Sequence, residues 1–331
     1  MVETVQGKAG TALITGASAG IGRDYARYLA ARNYDLVLTA RRTARLNALA
    51  KELEKGFGIT VTVLPADLEK PETPTKLAAE IKKRKITIDY LVNNAGYSLA
   101  GRFTKHKWAA RAAMIQCMLT AVTELCYIFA PDMAKRGKGY IVNIASAAAF
   151  LPGSTADPLY GPVKSYVKKL SQSLYQEYKP QGVNIVASCP GYTYTEIHDV
   201  AGTREAMNRL PKFIWLEGPT VVRESHVTVI QGQGPVLING WPYRLVAFIL
   251  NFIPDNWLTA TRGPKKETAK SRTKKATTKK ATVKKATAKK ATAKKATAKP
   301  AAKKAAPKTA AKKPVKKAPA KKTTAKKAAK K

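Results

Sequence analysis

Short apolar runs rich in β-branched residues alternate along most of this chain with longer stretches whose apolar positions recur at helical spacing. On that pattern we expect strands at residues 12–15, 35–39, 60–64, 90–93, 140–144, 184–188 and 236–238. Helices are expected at 21–31, 44–55, 73–83, 108–135, 159–178 and 220–230. Regular alternation of the two implies βαβ units and a parallel sheet. The predicted fold is therefore α/β, a doubly wound parallel sheet of seven strands whose ligands bind at the carboxyl ends of the strands.

The pattern breaks in two places. Residues 193–218 carry no clear periodicity and follow directly on the sixth strand. A stretch this long is a substrate-covering flap or a surface excursion with no role. Past residue 261 apolar patterning stops: Lys-Lys-Ala-Thr-Xaa recurs with period five through Lys274, Lys279, Lys284, Lys289 and Lys294, and variants bearing Pro300, Pro307, Pro314 and Pro319 follow. Without aromatics, and with hardly any large apolar side chain, such a segment has nothing to bury against the entropy cost of ordering. The expected organisation is a folded domain over 1–261 and a disordered polybasic tail over 262–331.

Charge sharpens this division. The tail carries 29 of the 60 Lys and Arg residues and one acid, Glu267, so +28 of the net +39 resides there. Dense lysine suits phosphate contact that ignores base sequence and weakens with salt, so nucleic acid or another polyanion is the expected partner of 262–331. A solubilising extension with no partner has the same composition. The longest apolar run, 245–253, is interrupted by Asn251 and falls short of the ~20 residues a membrane span needs, so no transmembrane segment is expected. Residues 1–11 are not signal-like, and a cytoplasmic setting is the default. Cys117, Cys126 and Cys189 lack disulfide or ligand spacing and His106, His198 and His226 are isolated, so neither disulfides nor a metal site is expected.

Tyr160 and Lys164 lie one helical turn apart, with Ser146 upstream of them. Side chains at i and i+4 share a face, so an ammonium there can stabilise a phenolate whose ordinary pKa is ~10. Between the first predicted strand and helix, Gly16, Gly20 and Gly22 follow GxxxGxG spacing, with Ser18 and Ile21 in the same run. A sharp turn there lets a pyrophosphate approach backbone N–H groups at a helix N-terminus. The second strand ends in Arg41 and Arg42 without a carboxylate. Arginine suits a 2′-phosphate, so NADP(H) is favoured over NAD(H), although Arg42 also reads as a solvated strand end. Asp67 and Leu68 after the third strand, and Asn93 to Gly96 after the fourth, fall on the same binding edge.

These motifs, with Tyr160-Gly161-Pro162-Val163-Lys164 and Pro190-Gly191-Tyr192-Thr193-Tyr194-Thr195, resemble the short-chain dehydrogenase/reductase family over about residues 8–255. The resemblance implies a Rossmann-type fold and hydride transfer between a nicotinamide and a carbonyl or alcohol carbon. It makes Tyr160 the proton donor or acceptor, has Ser146 position the substrate oxygen, and has Lys164 bind the nicotinamide ribose and depress the tyrosine pKa. It places Pro190, Gly191, Thr193 and Thr195 at the nicotinamide end, Asp67 and Leu68 at the adenine, and Asn93, Ala95 and Gly96 beside the ribose. A homo-oligomer is expected on the same ground.

One departure stands out: a family asparagine that helps hold a relay water aligns with Met118, whose thioether is a weak acceptor. A relay by another route, a slow enzyme and a lost activity all remain open. In the last case the chain is chiefly a polyanion binder. Phe213, Ile214, Trp215 and Leu216, with Trp241, Phe248, Phe252 and Trp257, suit a hydrophobic ketone, steroid-like or 3-oxoacyl, or else pack a core or dimer interface. The tail's composition resembles linker-histone and bacterial histone-like tails, which implies a nucleoid- or chromatin-associated location.

Overall fold

The seven predicted strands pair into one parallel sheet in the computed structural model of the chain, which describes residues 7–196, 210–250 and 252–253. They are β1 Gly10–Thr15, β2 Tyr34–Thr39, β3 Val61–Val63, β4 Tyr90–Asn93, β5 Gly139–Ile144, β6 Val183–Pro190 and β7 Val236–Asn239. Their order is β3-β2-β1-β4-β5-β6-β7. The order reverses between β1 and β4, and a crevice opens outside the strand ends at such a switch point. The tail 262–331, residues 197–209 of the expected flap, His198 and Trp257 lie outside the described residues.

Successive strand residues point to opposite faces, and here both faces are covered, which is why the strands read as continuous apolar runs. Ala12, Ile14, Leu36 and Leu38 pack with Tyr25 and Leu29 of α1 (Gly20–Ala30) and Leu46 and Leu53 of α2 (Thr43–Phe57). On the other face Leu13, Val37, Leu91 and Ile141 meet Leu77 and Ile81 of α3 (Thr73–Lys83). Leu125, Phe129 and Met133 join them from α5 (Ala121–Lys135). The remaining α-helices among the described residues are α4 (Trp108–Ile115), α6 (Tyr160–Tyr178), α7 (Gly218–Ile230) and α8 (Trp241–Leu250).

Three expectations change. The stretch Trp108–Lys135 is not one regular helix, because a π-helical turn at Gln116–Thr120 separates α4 from α5. That stretch is long and apolar enough to cross a membrane, as core helices also are, and α5 packs into the sheet core. Helix α8 forms where no element is expected: its sequence is apolar nearly all round, so it offers no amphipathic period to read. Ala247 is its one buried residue, while Trp241, Leu245 and Phe248 are exposed. Within 193–218, Thr193 makes a single parallel bridge to Leu216, and Tyr194 stacks on Trp215 at 4.6 Å. The described ends of that segment are thus tied to each other.

Candidate active site

The turn from β1 into α1 is built on glycines for steric reasons. Gly16 has φ +67° and Gly20 φ +52°, in the left-handed region that favours glycine. A Cβ on Gly16 would lie 2.9 Å from the Cα of Ala95, and one on Gly22 would lie 2.5 Å from the Gly16 carbonyl oxygen. Asn94 clamps this turn, its Nδ2 donating to the Thr15 carbonyl at 2.9 Å and its backbone N–H to the Thr15 hydroxyl at 2.9 Å. Helix α1 starts with no side-chain cap and no acidic residue in its first turn, which leaves an end suited to an anion. Ser18, Gly20 and Ile21 line a cleft of about 730 Å³ there.

The same cleft is lined by Gly16, Arg41, Arg42, Asp67 and Leu68 and, further along, by Ala95 and Gly96. Pro190, Gly191, Thr193 and Thr195 line it too, Thr195 against Gly20. This donor set and the uncapped helix end fit a nicotinamide dinucleotide. Gly22 and Asn93 do not line the cleft. Gly22 is a packing residue, as its contacts above show. Asn93 is buried and turned inward, its Nδ2 donating to Asn143 Oδ1 at 2.8 Å, and Asn143 in turn donates to the Ser171 hydroxyl at 2.9 Å. A polar side chain on a covered strand needs such partners, so Asn93 ties β4 to β5 and α6 rather than bordering a ribose.

Beyond β2 the cationic groups are paired. Arg41 bonds Glu69. Arg42 donates from Nε to the Ser18 hydroxyl at 3.2 Å and from Nη1 to Glu196 Oε2 at 2.9 Å, so it is not a bare solvated strand end. Arg45, one turn into α2, donates to Glu196 Oε1 at 2.7 Å. The hydrogen bond from Arg42, reinforced by Arg45, holds the Glu196 carboxyl below its usual range. Sequence reading passed over both Arg45 and Glu196; their only local signal was adjacency to Arg42 and Thr195.

Ser146, Tyr160 and Lys164 converge on the far part of the cleft. Ser146 follows β5 and caps a 3-10 turn, its hydroxyl accepting from the Ala148 N–H at 3.1 Å. Lys164 is buried, and its Nζ donates to the Ile144 carbonyl at 2.7 Å. Burial pushes this ammonium down to about 8. Its Nζ is 5.7 Å from the Tyr160 ring centroid. The Tyr160 phenol is raised, not depressed: burial dominates, the Ser146 hydrogen bond opposes it, and the Asp157 carboxylate adds to it. The Lys164 ammonium, expected to depress this phenol, is directed to the Ile144 carbonyl.

Asp157 also lines the cleft and belongs to a support that sequence reading missed. It accepts from the Ser98 hydroxyl and lies 3.6 Å from Arg111 Nη1. Arg111, 1% exposed, donates to the carbonyls of Leu99 and Arg102 at 3.2 Å each and so holds the loop after β4. Met118 is buried in the π-helical turn, and its sulfur accepts from the Tyr97 N–H at 3.4 Å. It therefore braces the loop at Gly96 and Tyr97. Cys117 borders the cleft as a neutral thiol, which burial pushes up to about 12.

Apolar walls close the catalytic end: Phe150, Leu151, Tyr192, Tyr243 and Val246. Tyr243 of α8 locks two of the surrounding segments, accepting from the Tyr192 N–H at 2.9 Å and donating to the Ile214 carbonyl at 2.7 Å. Among the described residues no three metal-ligating side chains cluster.

Residues 10–206 match the short chain dehydrogenase family. A very-long-chain 3-oxoacyl-CoA reductase-like protein of Arabidopsis thaliana is 29% identical over 256 residues, covering 76% of this chain and 79% of that protein. The 17-beta-hydroxysteroid dehydrogenase type 3 of Mus musculus is 30% identical over 248 residues, covering 73% and 76%. Among solved structures, a short-chain dehydrogenase from Sphingobium yanoikuyae in complex with NADPH is 34% identical, with a TM-score of 0.65 over 74% of this chain and 96% of that one.

Proposed function

The chain belongs to the short chain dehydrogenase family and is an oxidoreductase, and from that premise we propose that it moves a hydride between NADP(H) and the carbonyl or alcohol carbon of a bulky apolar substrate. The observation that carries this reading is the convergence of Ser146, Tyr160 and Lys164 on a cleft that begins at the open N-terminus of α1. A bound nicotinamide supplies or accepts the hydride. Tyr160, a phenol and so protonated at neutral pH, gives its proton to the substrate oxygen as the carbonyl is reduced. Ser146, which lines the cleft with Tyr160, donates to the same oxygen and meets the charge that develops there. Lys164, anchored on the Ile144 carbonyl, holds a cation beside the phenol and the ribose.

The NADP(H) preference is supported by the cluster of Arg41, Arg42 and Arg45 with no carboxylate from β2 among them, and by the NADPH complex of the Sphingobium relative. A 3-oxoacyl or steroid-like ketone is supported by the apolar wall of Phe150, Leu151 and Val246 and by what the Arabidopsis and mouse relatives are named for. The linker-histone-like composition of 262–331 supports a tether that is separate from the 1–261 domain and holds the enzyme on a polyanion such as DNA, in the cytoplasm at the nucleoid or chromatin. The exposed apolar residues of α8 support a homo-oligomer.

The test is NADPH oxidation by the full chain against 3-oxoacyl thioesters, steroid ketones and small aldehydes. Turnover should favour the bulky apolar ketones by tenfold or more in kcat/KM, about 1.4 kcal/mol of differential binding. Equal turnover of small aldehydes would remove the substrate assignment, and no turnover of any carbonyl or alcohol would remove the proposal.

A further inference from the structure

The guanidinium groups at the end of β2 do not wait in solvent. Arg42 Nη1 and Arg45 Nη1 close on the two oxygens of Glu196 at 2.9 and 2.7 Å, and Arg42 Nε is held at the same time by Ser18 Oγ at 3.2 Å. Glu196 is the carboxylate at the foot of the segment that leaves β6, 154 residues away from Arg42 in sequence. Two guanidinium groups, each reaching one carboxylate through its Nη1, form a seat for a small anion, and a phosphate offers the same acceptors with one more oxygen and more charge. Ser18, Arg42 and Glu196 all line the dinucleotide cleft.

We propose that Glu196 is the resident counter-ion of the 2′-phosphate seat, so that the cofactor's 2′-phosphate binds Arg42 and Arg45 by displacing this carboxylate. The proposal deepens the NADP(H) reading and rests on it. It assigns Arg45 as a second reader of the phosphate and makes Glu196 an internal competitor. A dinucleotide without the phosphate leaves the Arg42–Glu196–Arg45 bridge in place.

The connection to the substrate side is short. Thr195 lies within 3.2 Å of where a Cβ on Gly20 would stand, which puts the residue before Glu196 against the start of α1. Thr193 is bridged to Leu216, and Tyr194 is stacked on Trp215.

Two fragments separate the phosphate from everything else: adenosine 2′,5′-bisphosphate and 5′-AMP, each titrated into the full chain by calorimetry. The unmodified protein should bind the bisphosphate more tightly than 5′-AMP. Glu196→Gln should tighten the bisphosphate by about two- to fivefold, the span expected for removing a competing exposed ion pair, and leave 5′-AMP unchanged. Arg45→Ala should weaken the bisphosphate by about as much and again spare 5′-AMP. Both side chains are on the surface, so neither variant threatens the fold. A protein that binds the two fragments equally would overturn the NADP(H) reading. A protein that prefers the bisphosphate, but whose preference neither substitution changes, would overturn the counter-ion role alone.

Discussion

At the scale of single residues, Tyr160 and Lys164 differ from expectation in their titration. Lys164 is set by burial to about 8 where an exposed lysine has 10.5. The unfolded chain therefore binds more protons than the folded one between those values, so this group opposes folding below the lower value, and the opposition is relieved as pH rises from about 8 to 10.5. Lys164→Met removes that relief. The stability difference between wild type and variant should shift toward wild type by on the order of 3 kcal/mol from about pH 7 to about pH 10, measured by denaturant unfolding. A difference that does not move with pH would mean the ammonium is not desolvated. Tyr160→Phe keeps the ring and its packing but loses the transferable proton. Turnover should be abolished while the NADPH dissociation constant stays within a few-fold; near-normal turnover would remove Tyr160 from the chemistry. The spacing of Tyr160 and Lys164 was readable from sequence because a helix repeats its face every turn. The orientation of Lys164 toward the Ile144 carbonyl was not, because that carbonyl belongs to β5, 20 residues upstream.

At the scale of elements, the sheet was legible almost strand for strand, because strands covered on both faces are written as uninterrupted apolar runs. Helix α8 and the π-helical turn were not. The first lacks a polar face, and the second is one extra residue in a helical turn, invisible to a periodicity that tolerates such slips. Helix α8 nonetheless sets the wall of the substrate end through Tyr243. A Cβ on Gly191 would stand 1.9 Å from Cε2 of that ring. Gly191→Ala must therefore swing Tyr243 away and break its bonds to the Tyr192 N–H and the Ile214 carbonyl. The expected cost is about 1–3 kcal/mol in denaturant unfolding together with a raised KM for the ketone. Unchanged values of both would show that α8 accommodates the methyl group by moving as a body.

For the whole molecule, the composition breaks after residue 261. With +28 of the net +39 in 262–331 and every dinucleotide motif before it, removing 262–331 should leave folding and NADPH affinity within a few-fold. Binding to duplex DNA should collapse, and in the full chain it should fall with salt at a log–log slope of about −0.9 per phosphate contacted. A truncated protein that holds DNA as tightly as the full chain, or a full chain whose affinity ignores salt, would contradict the tether. The sequence by itself determined the alternation of strands and helices, the glycine turn, the tyrosine–lysine pair and the uneven charge. Each of these is a property of neighbours along the chain: a period, a spacing or a composition. Only the tertiary structure decided that Asn93 faces inward to Asn143, that Arg111 steadies the loop near Asp157, that Tyr243 locks against Gly191 and that Glu196 sits between Arg42 and Arg45. These contacts join residues 46 to 154 positions apart, and no local pattern encodes them, because a side chain's partner is chosen by where the sheet brings distant segments together and by the need of each buried or crowded polar group to be paired.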